Sequence, residues 1–158
     1  MKTLLKTISE NALDYETFNF TSEQKETKWL GNVPTSNKQV FEIETRLGII
    51  LPQDYKDFLF TTNGFSAPDD TEPSFLDAGN VDFLKNIDNF IIEAYNIPEL
   101  NNAIVVAGLD EEQYFLLIPP TPAFSDWKYW KFANWIPGEQ AFDNLEQYFE
   151  SVLKFQNE

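Results

Sequence analysis

The chain has 158 residues and a formal net charge of −15, from 26 acidic and 11 basic side chains. It contains neither cysteine nor histidine, which excludes disulfides, thiolate metal sites, cysteine nucleophiles and the Ser-His-Asp triad. The negative charge disfavours binding to nucleic acids and to anionic membranes. With 42 % apolar residues, the chain can bury a core of its own and is expected to form one domain.

The N-terminal segment predicts a short amphipathic helix over residues 2–13, because its apolar residues recur at helical spacing. We interpret residues 1–34 as an extension that packs on the rest of a single domain, which spans residues 1–158. The longest apolar runs are too short for a signal peptide or a membrane span. We therefore expect a cytoplasmic protein.

Two capped helices follow the extension. Ser36 and Gln39 have the spacing of a capping box, which predicts the start of the first helix. Gly48 suits the left-handed residue that ends it. Pro52 is suited to the first position of the second helix, and the Asn63-Gly64 pair ends that helix because both residues tolerate positive φ.

The rest of the chain predicts a sheet and further helices. The predicted elements are a short strand at 81–84, a helix at 89–95, strands at 103–107 and 114–118, a strand at 127–136, and a C-terminal helix beginning near Phe142. The strands at 103–107 and 114–118 are predicted to form an antiparallel hairpin. This order indicates an α+β fold, with a mixed, largely antiparallel sheet and helices packed mainly on one side.

The segment from residue 44 to residue 64 carries a specific pattern. It reads Glu44-x-x-Leu47-Gly48, then Leu51-Pro52-x-Asp54-Tyr55-Lys56-x-Phe58-Leu59, then Asn63-Gly64. This pattern resembles the signature of the SUKH superfamily, which includes bacterial immunity proteins and fungal regulators of cell-wall assembly and glucan synthesis. The resemblance implies a single α+β domain with no catalytic residues and no cofactor.

The same resemblance implies a binding function. Bacterial members bind and block a cognate protein toxin, often a nuclease, and the chain lacks the long tails expected of a fungal regulator. A bacterial immunity protein is therefore the preferred interpretation, and a regulator or scaffold in cell-wall or glucan synthesis is the alternative. The sequence does not identify the toxin or the oligomeric state.

The acidic residues are concentrated in the middle of the chain. Residues 57–126 contain 13 acidic residues and a single basic one, Lys85. Such a segment forms either a generally solvated surface or a surface that attracts a basic partner. No segment has the spacing of a calcium loop, so no metal site is predicted. The candidate partner-binding residues are Asp69, Asp70, Glu72, Asp77, Asp110, Glu111, Glu112, Trp127 and Tyr129.

The segment 127–135 is rich in aromatic residues, and two interpretations remain open. In one, Trp130 and Phe132 lie in the core of a strand, while Trp127, Tyr129 and Trp135 are half-buried under loops. In the other, these last three form an exposed platform for a protein partner or for a sugar ring. A carbohydrate-binding module is accordingly a third candidate function.

Overall fold

A computed structural model describes residues 1–15, 19–108, 113–133 and 139–158. These ranges form seven α-helices and five β-strands. The helices are α1 (Lys2–Asp14), α2 (Ser22–Thr27), α3 (Asn37–Leu47), α4 (Gln53–Thr61), α5 (Leu84–Ile87), α6 (Asn89–Tyr95) and α7 (Leu145–Gln156). The strands are β1 (Asp82–Phe83), β2 (Ile104–Ala107), β3 (Gln113–Ile118), β4 (Lys128–Ala133) and β5 (Glu139–Phe142).

The five strands form one sheet in the order β1-β2-β3-β4-β5. Each neighbouring pair is antiparallel. The predicted hairpin is confirmed as β2 and β3, with Ile104 opposite Leu117, and the predicted aromatic strand is confirmed as β4. The α+β prediction is therefore confirmed.

The two faces of the sheet are covered differently. Phe115, Leu117 and Tyr129 belong to a large core formed with α1, α3, α4 and α7. Leu116 and Trp130 belong to a second, smaller core formed with the short helices α5 and α6 and with the 3₁₀ turn Pro98–Asn102. The longer helices thus lie on one side, and all six residues of β3 are buried because both faces are covered.

The capping box and the terminal glycine predicted for α3 are confirmed. The backbone N–H of Gln39 donates to Ser36 Oγ at 3.2 Å, and the backbone N–H of Ser36 donates to Gln39 Oε1 at 2.9 Å. Gly48 and Gly64 have φ values of +68° and +97°.

The predicted end of α4 was wrong in detail, since the helix ends at Thr61 with the extended Thr62 as its C-cap, and Asn63 has no positive φ. Pro52 differs by one position, since it caps α4 instead of starting it.

The polar residues of the 44–64 segment connect its two helices. Glu44 Oε2 accepts a hydrogen bond from the Leu51 N–H at 2.8 Å and lies 3.6 Å from Lys56 Nζ. Because Leu51 precedes α4, this carboxylate fixes the turn between α3 and α4. Its role here is structural.

The C-terminal helix begins later than predicted. Phe142 is the last residue of β5, where it lies opposite Tyr129, and α7 begins at Leu145. Asn144 is the N-cap, since its side-chain oxygen accepts the Gln147 N–H at 2.8 Å. The prediction for Phe142 was wrong because an apolar residue beside a cap fits both a strand end and a helix face.

Helix α1 packs against α7, and the predicted helix over residues 2–13 is confirmed. Leu5, Ile8 and Ala12 are buried in the large core. Gln156 Nε2 donates to the Ile8 carbonyl at 3.1 Å. In the described ranges, no helix combines the length and the apolar character needed to cross a bilayer.

Candidate partner-binding surface

The acidic loop that contains Asp69 and Asp70 is held in a defined conformation. Its ends pair through reciprocal hydrogen bonds between Phe65 and Phe75, at 3.1 and 2.8 Å. Asp69 Oδ1 accepts the N–H and the hydroxyl of Thr71, at 2.8 and 2.7 Å. Asp70 is exposed, and no described residue forms an ion pair with either aspartate. Neither charge is therefore offset by an ion pair among the described residues.

This loop forms one wall of a groove at the C-terminal ends of α1 and α7, which we call the α1–α7 groove. Its volume is about 310 Å³, and it is lined by Ala12, Tyr15, Pro68, Asp69, Asp70, Phe155 and Gln156. Tyr15 is 65 % exposed and Phe155 is 59 % exposed. The groove therefore combines two accessible aromatic rings with two carboxylates.

Glu72 lies in the same loop but is not part of the exposed surface. Its Oε2 lies 2.9 Å from Lys131 Nζ and accepts a hydrogen bond from the Tyr148 hydroxyl at 2.7 Å. Its side chain is 12 % exposed. Glu72 is thus a structural carboxylate, whereas Asp70, two residues earlier in the same loop, is exposed.

Asp77 lies apart from this groove. Its two carboxylate oxygens accept the Gly79 N–H at 2.9 Å and the Asn80 side-chain amide at 2.8 Å. It contributes to a separate groove that also contains Trp29. Its charge, together with the larger effect of burial, raises the pKa of the Tyr55 hydroxyl above its ordinary value.

A third groove surrounds Trp127, at the edge of the sheet formed by β4 and β5; we call it the Trp127 groove. Its volume is about 910 Å³, and its walls include Asp126, Glu139 and Asp143, which are all exposed. Trp127 itself is half-buried. Lys128 also lines this groove, but its Nζ lies 3.3 Å from Glu99 Oε1. The lysine charge is therefore largely offset by Glu99, and the groove is acidic.

Tyr129, the next aromatic residue along the strand, belongs to the core. It is 5 % exposed, and its hydroxyl donates to Asp54 Oδ1 at 2.5 Å. Burial raises the pKa of this hydroxyl well above its ordinary value, and the hydrogen bond to Asp54 and the charge of Asp54 raise it further. Asp54 Oδ2 accepts the Leu145 N–H at 3.0 Å, so this carboxylate connects α4, β4 and α7.

The predicted site residues are thus distributed over separate places. Asp69 and Asp70 lie together, Asp77 lies elsewhere, and Trp127 lies in a third groove. Trp130 and Phe132 are core residues, as the first interpretation of the aromatic strand predicts. The remaining candidates, Asp110, Glu111 and Glu112, and also Trp135, lie outside the described residues.

Two exposed aromatic residues of the α1–α7 groove were missed. Phe155 continues the apolar side of α7, being three residues after the buried Val152, so the helical pattern predicts a core residue. Tyr15 directly follows α1. Only the three-dimensional arrangement brings these residues to one groove. No group of three potential metal ligands occurs in the part of the chain that the structure describes.

Residues 34–156 match the SMI1 / KNR4 family (SUKH-1), which confirms the resemblance of the 44–64 segment. The chain belongs to this family. No curated protein matches it.

The SUKH-1 match begins after the first two helices. The two grooves therefore differ in whether all their lining residues lie inside the match. The Trp127 groove lies wholly within the matched residues. In the α1–α7 groove, Ala12 and Tyr15 precede the match, whereas Asp69, Asp70 and Phe155 are inside it. This SUKH-1 protein therefore combines family residues with residues from outside the family match in a single groove.

Proposed function

We propose that this protein is an immunity-type binding protein, which binds a basic toxin domain and blocks its active site by occlusion. The SUKH-1 family accommodates this function, and the alternative of a regulator in glucan synthesis, in general terms. The proposal includes the absence of any enzymatic activity of its own. It also places the protein in the cytoplasm, where such a toxin would act.

The observation that carries the proposal is the chemistry of the Trp127 groove. Trp127 offers an aromatic surface of the kind that is enriched at the centres of protein interfaces. Asp126, Glu139 and Asp143 supply negative charge around it, and Lys128 is paired with Glu99. A basic protein surface matches this combination, because the carboxylates guide the encounter and the aromatic residue is desolvated on contact.

Long-range charge supports the same partner. The net charge of −15 arises mainly from residues 57–126. A net negative charge of this size increases the rate at which a basic protein associates, and salt screens the attraction over ~8 Å at physiological ionic strength.

The test uses the C-terminal domain of the protein encoded beside this gene. We expect the two proteins to co-purify and co-expression to protect cells from that domain. Replacing Asp126, Glu139 and Asp143 by Asn, Gln and Asn should slow association several-fold at low salt, with less effect on dissociation. Trp127→Ala should mainly accelerate dissociation.

The matched control removes three exposed carboxylates elsewhere, through Glu26→Gln, Glu93→Gln and Glu150→Gln. If both triple variants slow association equally, only net charge matters. The Trp127 groove would then no longer be part of the proposal. The regulator alternative would replace the proposal under two conditions together. The protein would fail to co-purify with the neighbouring domain, and the genes beside it would encode enzymes of cell-wall synthesis.

A further inference from the structure

The α1–α7 groove has a composition that selects a particular kind of ligand. It presents two aromatic rings, Tyr15 and Phe155, that remain 65 % and 59 % exposed. Exposed aromatic rings that line one groove leave apolar surface in contact with water, which a ligand could cover. The volume of about 310 Å³ is at the low end for ligand pockets, so it suits one side chain better than a whole cofactor.

The electrostatics of this groove favour a cation. Asp69 and Asp70 both line it, and no described lining residue is basic. Asp69 Oδ1 is occupied by Thr71, but no described group donates a hydrogen bond to its second oxygen or to Asp70. The faces of aromatic rings also attract cations. Both types of lining residue therefore favour positive charge.

We propose that the α1–α7 groove binds an arginine side chain projected from a protein partner, with the guanidinium stacked on Tyr15 and Phe155 and hydrogen-bonded to Asp69 and Asp70. Arginine fits better than lysine because its guanidinium is planar, stacks on aromatic rings and offers five N–H donors to carboxylates. The partner's identity rests on the proposed function, whereas the chemistry of the groove does not.

The groove also gives a reason for the chain before the SUKH-1 match to contribute to binding. Tyr15 comes from that part and Phe155 from the matched domain. Changes at Tyr15 would therefore alter the recognition of a partner without changing the family fold.

The test is an NMR titration of the full chain with three blocked tripeptides, in which glycines flank arginine, lysine or citrulline. Citrulline has nearly the shape of arginine but no charge. We expect the arginine peptide to shift the ring resonances of Tyr15 and Phe155, with a dissociation constant on the order of 1 mM. The citrulline peptide should give no saturable shift, and the lysine peptide should bind several-fold more weakly.

Variants locate the binding. Phe155→Ala should weaken arginine binding by about threefold or more, the order expected for one cation–π contact. Phe90→Ala is the matched control, because Phe90 is 76 % exposed on α6. Asp69→Asn with Asp70→Asn should weaken binding further and reduce its salt dependence, in contrast to Glu26→Gln with Glu93→Gln. Melting temperatures would verify that each variant folds.

Three results would overturn the proposal: equal binding of the citrulline peptide, equal binding of the lysine peptide, or equal effects of Phe155→Ala and Phe90→Ala. The titration uses no toxin, so its failure is distinct from a failure of the proposed function. If the toxin domain binds but is insensitive to Phe155→Ala and to the aspartate changes, the immunity function stands and the groove is not part of the interface.

Discussion

Lys131 and Glu72 form an ion pair beneath the acidic loop, with 2.9 Å between Nζ and Oε2 and with side chains only 9 % and 12 % exposed. Lys131 Nζ also donates to the Thr71 carbonyl at 2.9 Å, and the Tyr148 hydroxyl donates to Glu72. The pair therefore attaches the loop to β4 and α7. It positions the neighbouring Asp69 and Asp70 without itself being available to a partner.

Removing one member of this pair should destabilise the protein strongly. We expect Lys131→Met to lower the free energy of unfolding by about 3–5 kcal/mol, because it leaves the Glu72 charge buried without its cation. Lys154→Met is the control, since Lys154 is exposed and has no ion pair among the described residues. Urea denaturation provides the measurement. Adding Glu72→Gln to Lys131→Met should restore part of the loss, and equal midpoints for Lys131→Met and Lys154→Met would contradict the assigned role.

Tyr129 should make stability depend on alkaline pH. Its hydroxyl pKa is raised in the folded state by burial and by Asp54, whereas the unfolded chain titrates near its ordinary value of about 10. Above that pH the unfolded state binds fewer protons than the folded state, so stability is complete below about pH 10 and falls as pH rises further. Chemical denaturation between pH 8 and pH 11 measures this decline.

Tyr129→Phe should weaken that decline and cost about 1–3 kcal/mol at pH 7, because the hydrogen bond to Asp54 is lost. Tyr55→Phe offers a contrast, since the buried Tyr55 hydroxyl has no hydrogen-bond partner among the described residues. This second change should be neutral or slightly stabilising at pH 7. A large loss with Tyr55→Phe would show that its hydroxyl is satisfied.

Gly64 and Gly48 provide a matched pair of positive-φ positions. A Cβ at Gly64 would lie 3.0 Å from the Phe75 carbonyl oxygen, whereas a Cβ at Gly48 would meet nothing within 4 Å. Gly48→Ala should therefore cost about 1–2 kcal/mol from backbone conformation alone, and Gly64→Ala should cost more. Thermal unfolding of the two variants measures which one loses more stability. A larger loss for Gly48→Ala than for Gly64→Ala would contradict the prediction.

Leu59 should be among the core residues most sensitive to truncation. It is 0 % exposed in the large core on α4, so Leu59→Ala should cost about 2–5 kcal/mol through lost burial and an unfilled cavity. Phe41→Ala is the surface control, because Phe41 is 70 % exposed. Similar denaturation midpoints for Leu59→Ala and the wild type would contradict this packing.

Much of the local structure was predictable from sequence because its signals act within a few residues. The capping box of Ser36 and Gln39 and the positive φ of Gly48 and Gly64 depend on side chains and backbone near one another in the chain. The end of β5 at Phe142 was not predictable in this way. Its pairing with Tyr129 is a contact between strands, which no local pattern specifies.

By itself, the sequence determined both caps of α3, the α+β order, the family signature and the lack of histidine and cysteine chemistry. Only the tertiary structure decided which acidic and aromatic residues face a partner. Glu72 and Asp70 are two positions apart in one loop. Only Glu72 is paired with a lysine, Lys131, which lies 59 residues further along the chain. Burial depends on contacts between distant segments, and the same physics brings Tyr15 and Phe155 into one groove.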